Sequence, residues 1–140
     1  MYTLQTQAGT YITGHANGNI QTSGNPRMFK TRTEAQKFDQ QVKQEMVRLV
    51  EAYTNFADRE QKKVDKARKD VTRLEAKLAE LYTQPYKQVE RKVATTRKAI
   101  HSANFYLKSN SIRSYRQSVS RIQKLYKEGM QIVQLTPVDA

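Results

Sequence analysis

A chain of 140 residues with a formal net charge of +12 and no cysteine is the size of one ordinary domain, long enough to bury a core without a metal or disulfide staple. The missing thiols exclude a disulfide framework, thiolate zinc sites and a cysteine nucleophile. No stretch approaches the roughly 20 apolar residues that span a bilayer, and residues 1–24 hold no signal-like apolar run, so a soluble, cytoplasmic chain with no membrane partner is expected.

The first thirty residues alternate and turn: "YTLQTQ", Ala8-Gly9, "TYITGH", Asn17-Gly18, "NIQT". Asn-Gly between β-type segments is a strong hairpin signal, because a type I′ turn needs positive φ at both central residues. The pattern predicts strands at about 2–6, 10–15 and 19–22, a loop at Ser23-Gly24-Asn25-Pro26, and core contacts from Met28 and Phe29.

Thr31 and Glu34 have the spacing of a capping box, which starts a helix. From Thr33 to Tyr82 there is no Gly or Pro. Apolar positions recur in steps of three and four at Ala35, Phe38, Val42, Met46, Leu49, Tyr53 and Phe56, then at Val64, Ala67, Val71, Leu74, Leu78 and Leu81. That is a coiled-coil seam, interrupted at Glu60, and it predicts a helix over about 33–82. Thr83 to Pro85 form the turn, since proline cannot continue a helix interior. A second seam runs through Tyr86, Val89, Val93, Thr96, Ile100, Ala103 and Leu107, slips by one residue, and resumes at Ile112, Tyr115, Val119, Ile122 and Tyr126. It predicts a helix over about 86–128, closed by Gly129 as a C′ residue. The slip at 109–111 is either a stutter absorbed by local unwinding or a true break.

Facing residues of an antiparallel hairpin keep a constant sum of residue numbers. Leu81 with Tyr86, Leu78 with Val89, Leu74 with Val93, Val71 with Thr96, Ala67 with Ile100 and Val64 with Ala103 share one sum. Beyond the slip the sum rises by one and holds for Phe56 with Ile112, Tyr53 with Tyr115, Leu49 with Val119, Met46 with Ile122 and Val42 with Tyr126. The agreement predicts one long antiparallel coiled-coil helical hairpin over 33–128. It returns the β-branched tail, a strand at about 131–135, to the N-terminal segments. The expected fold is α+β and predominantly α, with a small β head built from 1–32 and 129–140. "MFKTRTEAQKF" and "GMQIVQL" resemble the short strand-turn-strand, F-K-T-x-x-E-A and final-strand pattern of many tiny bacterial and phage proteins, a likeness of about fifty residues that implies no activity.

The supply of catalytic groups is poor. His15 and His101 lack any spacing that puts two imidazoles on one metal. Carboxylates such as Asp58, Asp65 and Asp70 stand at helix-surface spacings that pair with Lys or Arg at i+3 and i+4. Gly14, Gly18 and Gly24 fit turns rather than a phosphate loop. The sequence therefore predicts no enzyme, no metal and no cofactor.

The charge is unevenly placed. Between Tyr86 and Glu128 stand eleven Lys and Arg against two carboxylates, and from Arg91 to Lys127 there is no Asp or Glu. In the heptad frame Arg91, Lys98 and Phe105 fall at f, pointing away from the partner helix, with His101 and Lys108 flanking them and Lys92, Arg97 and Tyr106 beside them. Arg113, Arg116, Arg121, Lys124 and Lys127 continue the positive charge toward the head.

Three readings compete for these residues. They form a solvated face part-neutralised by the carboxylates of the first helix; they track a phosphate backbone with aromatic contacts from Phe105, Tyr106 or Tyr115; or they dock an acidic protein surface or a second copy around Phe105. The second is expected: a basic binding protein whose helical hairpin engages nucleic acid or a ribonucleoprotein. The different-class alternative is a structural protein that assembles through its coiled coil. In size, basic arm and lack of catalytic groups the chain resembles the accessory proteins of phages and mobile elements, including anti-CRISPR inhibitors, and that likeness implies a CRISPR effector among the partners.

Overall fold

The computed structural model describes residues 1–15 and 19–135, so the Asn17-Gly18 turn lies outside the described residues. Its elements run β1 (Tyr2–Thr6), α1 (Arg32–Leu81), α2 (Tyr86–Ser109), α3 (Ile112–Glu128) and β2 (Met130–Gln134). The fold is α+β and predominantly helical, with a two-stranded sheet made from the two ends of the chain. It divides into two compact units, Met1–Asn55 with Tyr115–Ala140, and Phe56–Ser114.

In the first unit β1 and β2 pair antiparallel, with Tyr2 opposite Gln134 and Leu4 opposite Ile132. The other edge of β1 is shared. Tyr2 exchanges two backbone hydrogen bonds of 2.8 Å with Phe29, Ile12 donates to the Leu4 carbonyl and Thr6 to the Thr10 carbonyl. Because two separate segments divide that edge, neither runs along it. The strands expected at 10–15 and 19–22 are instead single bridges, Tyr11 to Gln5 and Gly14 to Gln21. The hydroxyls buried by this arrangement are satisfied: Thr3 donates to the Arg27 carbonyl at 2.8 Å, and Thr6 and Thr10 share a 2.7 Å contact.

α1 opens as its capping residues dictate. The Glu34 amide donates to Thr31 Oγ1 at 3.2 Å, while the Glu34 carboxylate accepts from the Lys30 amide at 3.3 Å, one residue earlier than the reciprocal bond of a capping box. Its stripe of Phe38, Val42, Met46 and Leu49, spaced by four, four and three, then packs with Ile122 of α3 and with Leu4, Ile12 and Ile20 into one buried cluster, against which Phe29, Leu125, Met130 and Ile132 lie half-buried. The rings of Tyr53 and Tyr115 stack at 6.0 Å, as the helix-pairing register requires. Gly129, at φ 76°, donates to the Leu125 carbonyl and turns the chain from α3 into β2.

In the second unit the chain leaves α1 through stepped hydrogen bonds, from Tyr82 to Leu78, Thr83 to Glu80 and Gln84 to Leu81, and Pro85 at φ −56° starts α2. Leu81, Val89 and Val93 form the buried cluster beside Leu78, and Val64, Ala57, Thr96 and Ile112 are buried as well. The Glu60 that interrupts the apolar seam accepts a 2.7 Å hydrogen bond from the Tyr106 hydroxyl, a polar link between helices in place of an apolar one. At the slip the helix stops. Asn110 is extended, at φ −70° and ψ 161°; its amide donates to the Leu107 carbonyl at 2.9 Å and its Oδ1 accepts the Ile112 amide, capping the helix that follows.

Three seam assignments are corrected. Phe56, Tyr86 and Tyr126 are 40%, 60% and 50% exposed, and the neighbours Ala57 and Leu125 take the inward positions of the first and third. A straight helix drifts by about 20° per heptad against a 3.5-residue repeat, so residues at the edge of the stripe rotate outward. Tyr86 is the first residue of α2 and lies beyond its buried stripe.

Two predictions follow from this packing. Ile122→Ala, which empties a fully buried position, should lower unfolding stability by about 2–5 kcal/mol in urea denaturation, whereas Val47→Ala, at a residue 55% exposed, should change it by under about 0.5 kcal/mol. Equal losses would contradict the core. The Glu60 carboxylate raises the Tyr106 pKa, first by accepting its hydrogen bond. The neutral phenol is the donor, so the pair stabilises the fold at neutral pH and that contribution is lost as pH rises through and beyond the ordinary tyrosine value of about 10. Wild type should therefore melt above Tyr106→Phe at pH 7, with the difference shrinking above pH 10 in matched thermal melts.

Candidate functional site

The second unit carries most of the sequence-predicted residues. Arg91, Lys92, Lys98, His101, Phe105 and Lys108 are exposed along α2, and Arg113 is exposed at the start of α3. Phe105, at 67%, is the most exposed of the large apolar side chains among the described residues. Two of the predicted residues have other commitments. Tyr106 is half-buried and bound to Glu60, which removes its ring from the outward stripe. Arg97 turns to the end of α1, where its guanidinium hydrogen-bonds the Tyr82 hydroxyl and stands 5.5 Å from that ring's centre.

The ion pairs show where the charge is spent. In α1, Lys43 pairs with Asp39 at 3.2 Å, Arg48 with Glu45, Lys63 with Glu60 at 3.5 Å and Arg73 with Asp70 at 3.7 Å. Each is an i, i+3 or i, i+4 pair inside the helix. The hydrogen bond from Arg48 is the largest influence on Glu45 and lowers its pKa, and the same bond raises that of Arg48. Among the described residues Arg91, Lys92, Lys98, Lys108 and Arg113 make no ion pair. Four of the ten carboxylates of α1 are thus engaged by cations of their own helix, whereas these five cations of α2 and α3 meet no carboxylate.

One recess gathers part of that charge. Lys77 of α1 joins Arg91, Lys92, Thr95 and Thr96 of α2 around a volume of about 200 Å³ with no carboxylate in its lining. Lys77 escaped the sequence reading, which treated α1 as the neutralised helix. Its signal was available: Lys77 precedes the seam residue Leu78 as Lys92 precedes Val93, and such flanking positions face each other in an antiparallel pair.

The first unit holds Tyr115 and the remaining cations. Tyr115 is half-buried against Tyr53, while Arg116, Arg121, Lys124 and Lys127 are exposed. Arg121 and Lys124 share a recess with the hydroxyls of Thr6, Thr10 and Thr22, but Glu128 also lines it and lies 4.0 Å from Lys124. A separate apolar recess of about 180 Å³ is lined by Met46, Val47, Val50, Gln123 and Tyr126. Among the described residues no group of three or more His, Asp or Glu could hold a metal ion, and no helix is long and apolar enough to cross a membrane. No protein-family model, no curated protein and no solved structure matches this chain.

Proposed function

We propose that this is a basic, non-enzymatic binding protein whose helical hairpin engages a nucleic acid, free or held within a nucleoprotein such as a CRISPR effector. The observation that carries the reading is the unequal pairing of charge. Four cations of α1, Lys43, Arg48, Lys63 and Arg73, pair with carboxylates of their own helix, while among the described residues Arg91, Lys92, Lys98, Lys108 and Arg113 make no ion pair. Had the face existed only for solubility, the ten carboxylates between Thr31 and Pro85 could have been spread across both helices at no cost to the seam. A phosphate backbone gives such cations a role, since each contact releases condensed counterions and binding becomes steeply salt-dependent.

Fluorescence anisotropy with a labelled generic duplex and a labelled single strand tests this at about 50 mM salt, where phosphate contacts are strongest. Binding should weaken on raising the salt, with a slope of about −0.9 per duplex phosphate contacted. The triple variant Lys98→Glu, Lys108→Glu and Arg113→Glu should lose binding while keeping its helical circular dichroism. No binding by wild type to either probe at low salt would refute the reading.

The exposed Phe105 favours a second reading, assembly through the hairpin. If it holds, sedimentation will give a mass that rises with concentration, and Phe105→Glu will return the protein to monomer.

A further inference from the structure

We infer that the recess between Lys77, Arg91, Lys92, Thr95 and Thr96 is a phosphate-binding site that anchors one backbone phosphate of the nucleic acid. The inference rests on the nucleic-acid reading and adds to it a defined locus and a residue from the other helix. All five residues belong to the second unit, so one compact body carries the whole site.

Three features argue for phosphate. First, three cations from two helices line one concavity, none makes an ion pair among the described residues, and the lining has no carboxylate. Like charges around a concave wall of low dielectric concentrate the field and draw an anion in. Second, the donors suit a tetrahedral oxyanion. The Arg91 guanidinium offers a planar fork for two oxygens, and Lys77 and Lys92 supply compact charges that can settle on the others. Third, a hydroxyl donor stands beside the cations. The Thr96 hydroxyl is committed to the Lys92 carbonyl at 2.7 Å, while the exposed Thr95 keeps its hydroxyl proton to give.

The contrast with the first unit sharpens the assignment. The recess beside Arg121 and Lys124 also has hydroxyls, yet Glu128 shares it and lies 4.0 Å from the lysine. An anion entering there meets a carboxylate already in place. Only the recess at Lys77 combines several unpaired cations with an acid-free lining among the cavities described above.

The same anisotropy assay tests the site with three single variants: Lys77→Gln and Thr95→Val within the recess, and Lys69→Gln as a control on the exposed face of α1. Lys77→Gln should weaken binding several-fold at about 50 mM salt and reduce the salt slope by about one contact, uniformly across probe sequences. Thr95→Val should weaken binding with the slope unchanged, because it removes a donor and no charge. Lys69→Gln should match wild type, and circular dichroism should confirm that all three remain helical. If Lys77→Gln behaves like Lys69→Gln while the triple variant on α2 and α3 still abolishes binding, the recess is overturned and the nucleic-acid reading stands. If wild type binds neither probe, both fall together.

Discussion

The pairing of β1 with β2 is the constraint on which the rest depends. Two strands of five residues, at opposite ends of the sequence, share one ladder, and everything between them must depart from that place and come back to it. Closing so long a loop costs entropy that grows only slowly with length, but two short strands alone do not offset it. The closure is affordable because Leu4 and Ile132 of the strands meet the stripe of α1 and Ile122 of α3, so sheet, helix and return helix bury one cluster together. Full burial of aliphatic side chains of this size contributes about 1.5–3 kcal/mol each.

Most of the side chains buried in the second unit are small. Its buried positions include Ala57 and Thr96 beside Val64, Val89 and Val93, smaller side chains than the Phe38, Met46, Leu49 and Ile122 of the first unit. Polar contacts take over part of the pairing there. Glu60 and Tyr106 replace an apolar pair, and Arg97 with Tyr82 ties α2 back to the end of α1. The Asn110 break divides the returning helix at the point where the seam slips, so that the inward stripe is re-phased by a capped interruption rather than by sustained unwinding.

How much of this the sequence disclosed depended on the range of the interaction involved. The α+β class, the long helices and their antiparallel pairing were legible because helical periodicity is local and two patterns could be checked against each other; Tyr53 with Tyr115 meets as the register required. The strands expected at 10–15 and 19–22 shrink to single bridges because a strand is defined by its neighbour, and the other edge of β1 is divided between Thr10–Ile12 and Phe29, a long-range fact that no local alternation carries. Apolarity alone points Phe56 and Tyr126 inward. Adjacent Ala57 and Leu125 satisfied the same spacing within one residue, and only the rotation of the real helix decides between them. The basic stripe was legible as composition. Its split into cations committed elsewhere, as at Arg97, and cations without an ion pair is set by tertiary contacts, and Lys77 joins them only through the pairing of two helices.

Stability alone does not account for Lys77 opposite Lys92. Flanking positions of antiparallel helices are where opposite charges ordinarily meet, and a like-charged pair there is a cost to the fold. Asp70 and Glu75 stand near in the sequence on α1, so a complementary residue was within easy reach of the chain's own composition. Keeping two lysines and adding Arg91 to the same acid-free recess raises the local potential further. A structure that tolerates this arrangement is stabilised by whatever anion occupies it, because a ligand that binds only the folded hairpin shifts the folding equilibrium in its favour. On the proposed reading, the surplus of unpaired cation makes the hairpin most stable when a polyanion is bound.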